Sequence, residues 1–231
     1  MNGFFYKDKY SNSRGSALFI ILIGVALFAA LGYAVSNMMQ GGTSGTNIAE
    51  EQSKLYASEI IDYGRAMRET IQGMRISNGC ADNEISFEND VVSGYENTNA
   101  PSDFSCHVFR AEGGGANWIK APSIFTDGTD YVFEYRVVAD IGTTSSGASE
   151  LILGLQNVNY NICKQINKIH NDYDGEPYPQ ANVAGFGAQK FQGSYNFGPH
   201  INSPNLHGQR AGCFGDNNAK IYYFYYVLIP R

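Results

Sequence analysis

The chain has 231 residues, with 22 acidic side chains against 16 lysines and arginines, and its formal net charge is −6. This acidic balance argues against nucleic acid as the main partner, because binding to a phosphate backbone requires clustered cations. Glycine, tyrosine and phenylalanine number 26, 16 and 14, while charged residues make up 16%. Such a composition favours a β-rich, loop-rich exported domain over a cytosolic helical enzyme.

The chain opens with a basic segment, Met1 to Gly15, which is followed at once by the uncharged run Ser16 to Val35, SALFIILIGVALFAALGYAV. At about 1.5 Å per residue, this run predicts a helix close to the hydrocarbon thickness of a bilayer. The basic side chains of the leader then belong on the cytoplasmic side. An ordinary secretory signal is the alternative, although its apolar region would be shorter and Gly32-Tyr33-Ala34 is a poor cleavage site.

A short basic leader ending in Gly15, an apolar run directly behind it and a following amphipathic helix resemble the class III signal of type IV pilins and type II secretion pseudopilins. The resemblance implies that a prepilin peptidase cleaves between Gly15 and Ser16 and that the new N-terminus is methylated. It also implies a filament-core helix, and as partners other pilin or pseudopilin subunits, the prepilin peptidase, an inner-membrane assembly platform and membrane lipid.

The fifth residue after this cleavage site, Ile20, departs from the family, whose major subunits carry glutamate there. A carboxylate in the core of a filament is tolerable only when it pairs with the terminal ammonium of a neighbouring subunit. Isoleucine cannot form that pair. The resemblance therefore implies a minor subunit, of a kind suited to the tip of a filament. A plain single-pass anchor with no filament role also explains Ile20.

Residues 37–47 contain Gly41, Gly42 and Gly45 and predict a flexible break. A break like the one within pilin first helices and a simple linker both remain open. Asn47 and Glu50 then form a plausible capping box, and apolar residues near helical spacing predict a helix that packs under a sheet. These apolar residues are Ile48, Leu55, Ile60, Met67, Ile71 and Met74.

Four cysteines follow the apolar run, and their spacing contains no CxxC or other short metal-ligand pattern. Two disulfides are the economical interpretation for an exported chain, with buried free thiols as the alternative. Three pairings are possible for four cysteines. The pairing with local loops, Cys80 to Cys106 and Cys163 to Cys213, is favoured.

The strongest strand pattern is Asp130 to Ile141, in which aromatic and aliphatic residues alternate with charged ones such as Glu134 and Arg136. A second helix with one buried stripe is predicted from Ala148 to His170. The stripe consists of Leu151, Leu155, Val158, Ile162, Ile166 and Ile169. The aromatic tail IYYFYYVLIPR predicts a last strand that closes the sheet over the first amphipathic helix. Trp118, the single tryptophan, is expected in the core.

The segment Asn171 to Asn218 is rich in proline, glycine, asparagine and aromatic residues, and it predicts a long loop with a hairpin through FGAQKFQGSYNFG. Long loops on a rigid scaffold often bind a ligand. His200, His207 and Asp216 could be metal ligands, but their spacing fits no standard site, so no metal and no cofactor is predicted. No nucleophile elbow, zinc-protease motif or phosphate-binding loop is present, and an enzyme is not predicted.

These patterns predict an α+β, pilin-like fold with a long N-terminal transmembrane helix and a globular domain that has an antiparallel sheet of about four strands and a second helix. The expected divisions are a leader (1–15), a transmembrane or filament-core helix (16–36), a glycine-rich linker (37–47) and the globular domain (48–231).

The favoured function is a minor pilin or pseudopilin of a type IV pilus or type II secretion system. It would reside in the bacterial inner membrane with its globular domain in the periplasm, or on an extracellular filament. The alternative is a membrane-anchored extracytoplasmic binding module whose Asn171 to Asn218 loop recognises a surface glycan or protein.

Overall fold

The structure is a computed structural model and describes residues 21–30, 44–142, 149–173, 178–179, 185–196, 198, 200–201, 203–216 and 220–231. The chain divides into two units, Met1–Ala49 and Glu50–Arg231. In the first unit, residues 21–30 are helical (α1) and most of their side chains are exposed. The predicted processing junction Gly15–Ser16 and the core position Ile20 lie outside the described residues.

Two helices and a six-stranded sheet form the rest of the described architecture. Helix α2 is 34 residues long and begins within the predicted linker, three residues before the expected cap Asn47. The helices are α2 (Ser44–Ser77) and α3 (Tyr160–Asn171), and the strands are β1 (Val132–Val138), β2 (Glu150–Leu155), β3 (Tyr178–Pro179), β4 (His200–Ile201), β5 (Ala211–Asp216) and β6 (Ile221–Ile229).

The sheet is mixed, with the strand order β3-β5-β6-β2-β1-β4. Its four inner strands are antiparallel neighbours, and the long aromatic strand β6 lies between β5 and β2. The two short edge strands run parallel to their neighbours, β3 to β5 and β4 to β1. Strand β6 is thus an interior strand that is paired on both sides.

The expected fold, a pilin-like domain with a long transmembrane helix and an antiparallel sheet, is wrong. The parallel edge strands make the sheet mixed, and the sheet has six strands where about four were expected. Within the described ranges, moreover, no helix combines the length and the apolar character that a bilayer crossing requires. The described part of α1 has ten residues, roughly 15 Å of helix, whereas the longer α2 carries many charged side chains.

The predicted second helix, Ala148 to His170, is also wrong in its first half. Residues Glu150–Leu155 form strand β2, in which every residue is buried, and the helix begins only at Tyr160. Leu151 and Leu155 fit a helical stripe as well as one face of a strand, so their spacing does not distinguish the two. Pairing with β1 and β6 on either side decides the matter in favour of a strand.

Helix α2 packs with its apolar stripe against one face of the sheet, as its spacing predicts. The buried residues of α2 recur every three or four positions, whereas the predicted stripe member Leu55 is 58% exposed. At Gly64 the helix approaches β6 so closely that a Cβ would lie 2.6 Å from the ring of Tyr226. The buried stripe consists of Ala57, Ile60, Ile61, Met67, Ile71 and Met74.

The aromatic side chains between Phe87 and Phe133 complete this first core. Trp118 packs against Phe109 and Phe133 with ring centroids 5.4 and 5.8 Å away, and Phe87 stacks on Phe133 at 4.1 Å. Trp118 is therefore a packing residue, as expected, and its side chain is half-buried against this aromatic cluster.

The opposite face of the sheet carries a second core, and the segment that was predicted as a long loop covers it. Phe186 and Leu206 from this segment pack on the sheet, together with Ile201 of the edge strand β4. The predicted hairpin is not seen in the described residues 185–196, where Lys190 pairs instead with Glu134 of β1. The sheet residues beneath are Val138, Ile152, Phe214, Tyr223, Tyr225 and Val227.

The structure contains the two disulfides with local loops, Cys80–Cys106 and Cys163–Cys213. The second joins α3 to β5, where the buried Asn167 side chain also donates to the Cys213 carbonyl oxygen and accepts from the Cys213 N–H, both at 2.8 Å. In the chain-entropy model, closing loops of this size contributes about 3 to 4 kcal/mol each. The bridges therefore stabilise a domain that is rich in glycine.

Two glycines of α2 provide a test of the close helix–sheet contact. Gly64→Ala should destabilise the fold by about 1 to 3 kcal/mol, because the new methyl group overlaps the Tyr226 ring. Gly73→Ala is the matched control, since nothing lies within 4 Å of a Cβ there, and it should stabilise the fold by about 0.5 to 1 kcal/mol. Urea unfolding of both variants measures the difference, and equal effects would contradict this packing.

Candidate functional site

The site is built on two charged residues of β1 that are completely buried. Glu134 and Arg136 are 0% and 1% exposed, and Arg136 Nε donates to Glu134 Oε1 at 2.6 Å. Both lie on the face of β1 opposite to α2. Their alternation with apolar residues predicts a solvent-facing side of the strand, but the covering segment around residues 185–191 excludes water from it.

Glu134 holds the covering segment in place. Its Oε2 accepts a hydrogen bond from the Gly187 N–H at 2.9 Å, while the Phe191 N–H donates to the Phe133 carbonyl oxygen at 2.9 Å. Burial raises the pKa of Glu134, and the Arg136 guanidinium and the backbone N–H groups oppose that rise. The carboxylate is therefore charge-paired and hydrogen-bonded from both sides.

Arg136 is held by an aromatic ring from the same segment. Its guanidinium lies over Phe186, with Cζ 4.6 Å from the ring centroid, which is a favourable cation–π geometry. Arg136 Nη2 has no hydrogen-bond partner among the described residues. The Gln156 side chain donates to the Phe186 carbonyl oxygen and so fixes the backbone that carries this ring.

A second anchor joins the covering segment to the segment around Asn97. Asn97 is buried, and its amide donates to the carbonyl oxygens of Asn83 and Ile85 at 2.9 and 2.8 Å. Asn99 donates to the Gly193 carbonyl oxygen at 3.2 Å. Gly193 has a φ of +79°, and a Cβ there would overlap Asn97, so this turn requires glycine.

Between these two anchored segments lies a polar cavity of about 460 Å³. Its floor is Tyr135, the half-buried residue in the middle of a strand whose other six residues are buried. Amide, hydroxyl and amine side chains form the walls. The lining residues are Gly94, Tyr135, Ala188, Gln189, Lys190, Gln192, Ser194 and Asn196.

Hydrogen bonds fix the rim of the cavity at its two ends. At one end, Ser149 Oγ donates to the Asn196 carbonyl oxygen at 2.6 Å and accepts from the Gly198 N–H at 3.1 Å. At the other end, Gln192 donates to the Gly94 carbonyl oxygen at 3.3 Å. The Asn196 side chain also donates to the Tyr135 hydroxyl at 3.4 Å.

Two charged side chains, Lys190 and Glu96, lie near the cavity. The Lys190 ammonium donates to the Ser93 carbonyl oxygen and lies 5.3 Å from the centroid of the Tyr95 ring. The nearby Glu96 carboxylate is exposed, and the N–H groups of Glu96 itself and of Gly94 hold its pKa below the usual range, with smaller contributions from Gln192 and Lys190. The cavity therefore offers mainly neutral hydrogen-bonding groups, with one cation, Lys190, in its lining.

A second buried carboxylate joins β2 to the end of β1 beside this site. Glu150 Oε2 accepts a hydrogen bond from the Val138 N–H at 2.6 Å, and the residue is buried. Burial raises the pKa of Glu150 to about 7, and the Val138 N–H opposes the rise. Glu150 thus changes charge near neutral pH.

The cysteines and the candidate metal ligands identified from the sequence do not line this cavity. The four cysteines form structural bridges. His207 lies 3.2 Å from Asp140 (Nδ1 to Oδ2) and His200 belongs to the edge strand β4. Across the described ranges, no cluster of three or more histidine, cysteine, aspartate or glutamate residues could hold a metal ion.

Sequence reasoning missed the residues that build the cavity. Glu134 and Arg136 look like ordinary solvent-facing positions of a strand, and Tyr135 looks like a core residue. One signal was present: the stretch 188–196, AQKFQGSYN, combines amides and hydroxyls with a single charge. Its position within a long loop suggested binding, but nothing in its spacing pointed to β1.

The chain was compared with protein-family models, curated proteins and solved structures, and no match was found in any of the three comparisons.

The buried ion pair can be tested by removing its cation. Arg136→Met leaves Glu134 buried without a counterion and should destabilise the fold by about 3 to 5 kcal/mol. The matched control is Arg65→Met, which breaks the exposed 2.9 Å pair with Asp62 and should cost less than about 1 kcal/mol. Urea unfolding gives both values, and a cost for Arg136→Met as small as the control's would contradict a structural role for the pair.

Glu150 predicts a specific pH dependence of stability. Its pKa rises from 4.5 to about 7 on folding, so between these values the folded state keeps a proton that the unfolded chain has released. Stability therefore falls as the pH rises from about 4.5 to 7, by roughly 2 to 3 kcal/mol. Glu150→Gln imitates the protonated side chain and should remove this part of the fall. Urea unfolding at pH 5 and pH 7.5 tests it, and identical pH profiles for both proteins would count against it.

Proposed function

We propose that the chain is a minor pilin or pseudopilin, a structural and assembly subunit of a type IV pilus or type II secretion system that prepilin peptidase processes after Gly15. The observation that carries the proposal is the sequence from Arg14 to Tyr33, in which a basic leader ends in glycine immediately before an uninterrupted apolar run. Ile20 in place of the family's glutamate favours a minor subunit over the repeating one.

The second unit supports export. Two disulfides close loops in a domain with a wide apolar core, and disulfides persist in oxidising compartments such as the periplasm. The proposal therefore puts the globular unit on the periplasmic side of the bacterial inner membrane, or outside the cell on a filament. Its partners are other pilin or pseudopilin subunits, the peptidase, the assembly platform and membrane lipid.

Intact-mass measurement tests the processing step. When the full chain is coexpressed with a prepilin peptidase, the purified protein should begin at Ser16 and carry the added mass of one methyl group. Expression without the peptidase, and a Gly15→Leu variant expressed with it, are the controls and should both keep Met1 to Gly15. Retention of the leader in the presence of the peptidase would overturn the proposal, and cleavage after Ala34 would indicate an ordinary secretory signal.

A second candidate function is an extracytoplasmic binding module, and the polar cavity beside Tyr135 favours it. The cavity lies between two segments that buried hydrogen bonds anchor, and its volume falls within the range of about 300 to 1,000 Å³ that is typical of small-molecule sites. This function does not depend on cleavage at Gly15, so the two candidates can be tested separately.

A further inference from the structure

We infer that the cavity beside Tyr135 binds a neutral carbohydrate. This inference names the ligand class for the proposed binding module and rests on that function.

The lining groups match sugar hydroxyls in their hydrogen-bonding capacity. A hydroxyl both donates and accepts, and a side-chain amide offers a carbonyl oxygen beside an NH₂ group, so each amide can satisfy neighbouring hydroxyls of one sugar. Three side-chain amides, from Gln189, Gln192 and Asn196, line the cavity together with the hydroxyls of Ser194 and Tyr135. The Tyr135 ring adds an aromatic surface at the floor.

One of these amides has a carbonyl oxygen that accepts no hydrogen bond from the described residues, and a ligand could supply the missing donor. Gln189 lines the cavity, and its Oε1 is shielded from solvent and accepts no hydrogen bond from the described residues. An unsatisfied buried acceptor costs about 1 to 3 kcal/mol. Rotation of the Gln189 side chain toward the cavity would let a sugar hydroxyl donate to this oxygen and relieve the cost.

The electrostatics favour a neutral ligand over an anionic one. Lys190 is the charged residue among the lining set, and its ammonium already donates to the Ser93 carbonyl oxygen and lies against the Tyr95 ring. It also contributes to the lowered pKa of the exposed Glu96 carboxylate. The other seven lining residues are uncharged, so most contacts to a ligand would be the neutral hydrogen bonds that a polyol makes.

Hydrogen bonds anchor the walls of the cavity, and the strand at its floor offers no room for a peptide strand. Strand β1 pairs with β2 on one side and with Lys190 and β4 on the other. An extended peptide binds by adding to a free strand edge, and this edge is occupied. The Glu134 carboxylate and the Gly193 turn hold the walls before any ligand arrives, which reduces the entropy cost of binding.

The test uses the purified full chain on an array of neutral oligosaccharides, anionic glycans and short peptides, with maltotriose, cellotriose and tri-N-acetylchitotriose as the neutral probes. At least one neutral probe should bind, and calorimetric titration gives its Kd. Gln189→Ala and the double variant Gln192→Ala/Asn196→Ala should each weaken binding tenfold or more, because each removes hydrogen bonds to the sugar. Gln52→Ala, at an exposed glutamine of α2, is the matched control and should leave the Kd unchanged.

Thermal unfolding shows that a loss of binding is not a loss of fold. Gln192 and Asn196 are exposed, and Gln189 Oε1 accepts no hydrogen bond from the described residues. The three substitutions should therefore keep the unfolding temperature within a few degrees of that of the parent chain. Binding of a neutral probe that persists in the variants overturns the inference. Binding of only anionic glycans or peptides also overturns it but keeps the binding module, whereas an array with no bound ligand of any class removes both.

Discussion

The buried pair of Glu134 and Arg136 is the interaction on which the outer face of the sheet depends. Two charges with almost no exposure are costly to desolvate, and their mutual attraction offsets that cost only when further hydrogen bonds satisfy them. The Gly187 N–H and the Phe186 ring supply those contacts. Because both come from the covering segment, the pair and the segment stabilise each other. The backbone of Lys190 in the same segment pairs with Glu134, and residues 188–196 line the cavity beside Tyr135.

A sheet covered on both faces explains the composition of its central strands. Helix α2 and the aromatic cluster around Phe133 cover one face, and Phe186 and Leu206 of the covering segment pack against the other. Strands buried on both faces carry nearly continuous apolar runs instead of alternating ones, as in ELILGL of β2 and IYYFYYVLI of β6. The segment that looked like a binding loop is therefore first a structural cover, and the exposed part of it forms the cavity wall.

The two proposed functions can belong to one protein. A minor subunit at the end of a filament would present its globular unit to the surroundings. A polar cavity whose walls are anchored by hydrogen bonds is suited to contact with a surface glycan. Two disulfides and the extensive aromatic packing suit a domain that works outside the reducing cytoplasm. The filament role rests on the first thirty-six residues, and the binding role rests on the second unit.

The sequence by itself determined those local features whose residue pattern fits only one kind of secondary structure. The apolar stripe of α2 and the strand at Val132–Val138 follow from spacing, and strand β6 follows from its run of aromatic and β-branched residues. The cysteine count limits the bridges to three pairings. The tertiary structure decided what spacing leaves ambiguous. Leu151 and Leu155 fit a helix or a strand, and pairing on both sides made them a strand. The burial of Glu134 and Arg136 was decided by a segment some fifty residues further along the chain, and the same segment lines the cavity. The sequence did not predict either feature, because contacts between distant residues leave no periodic signal in either partner.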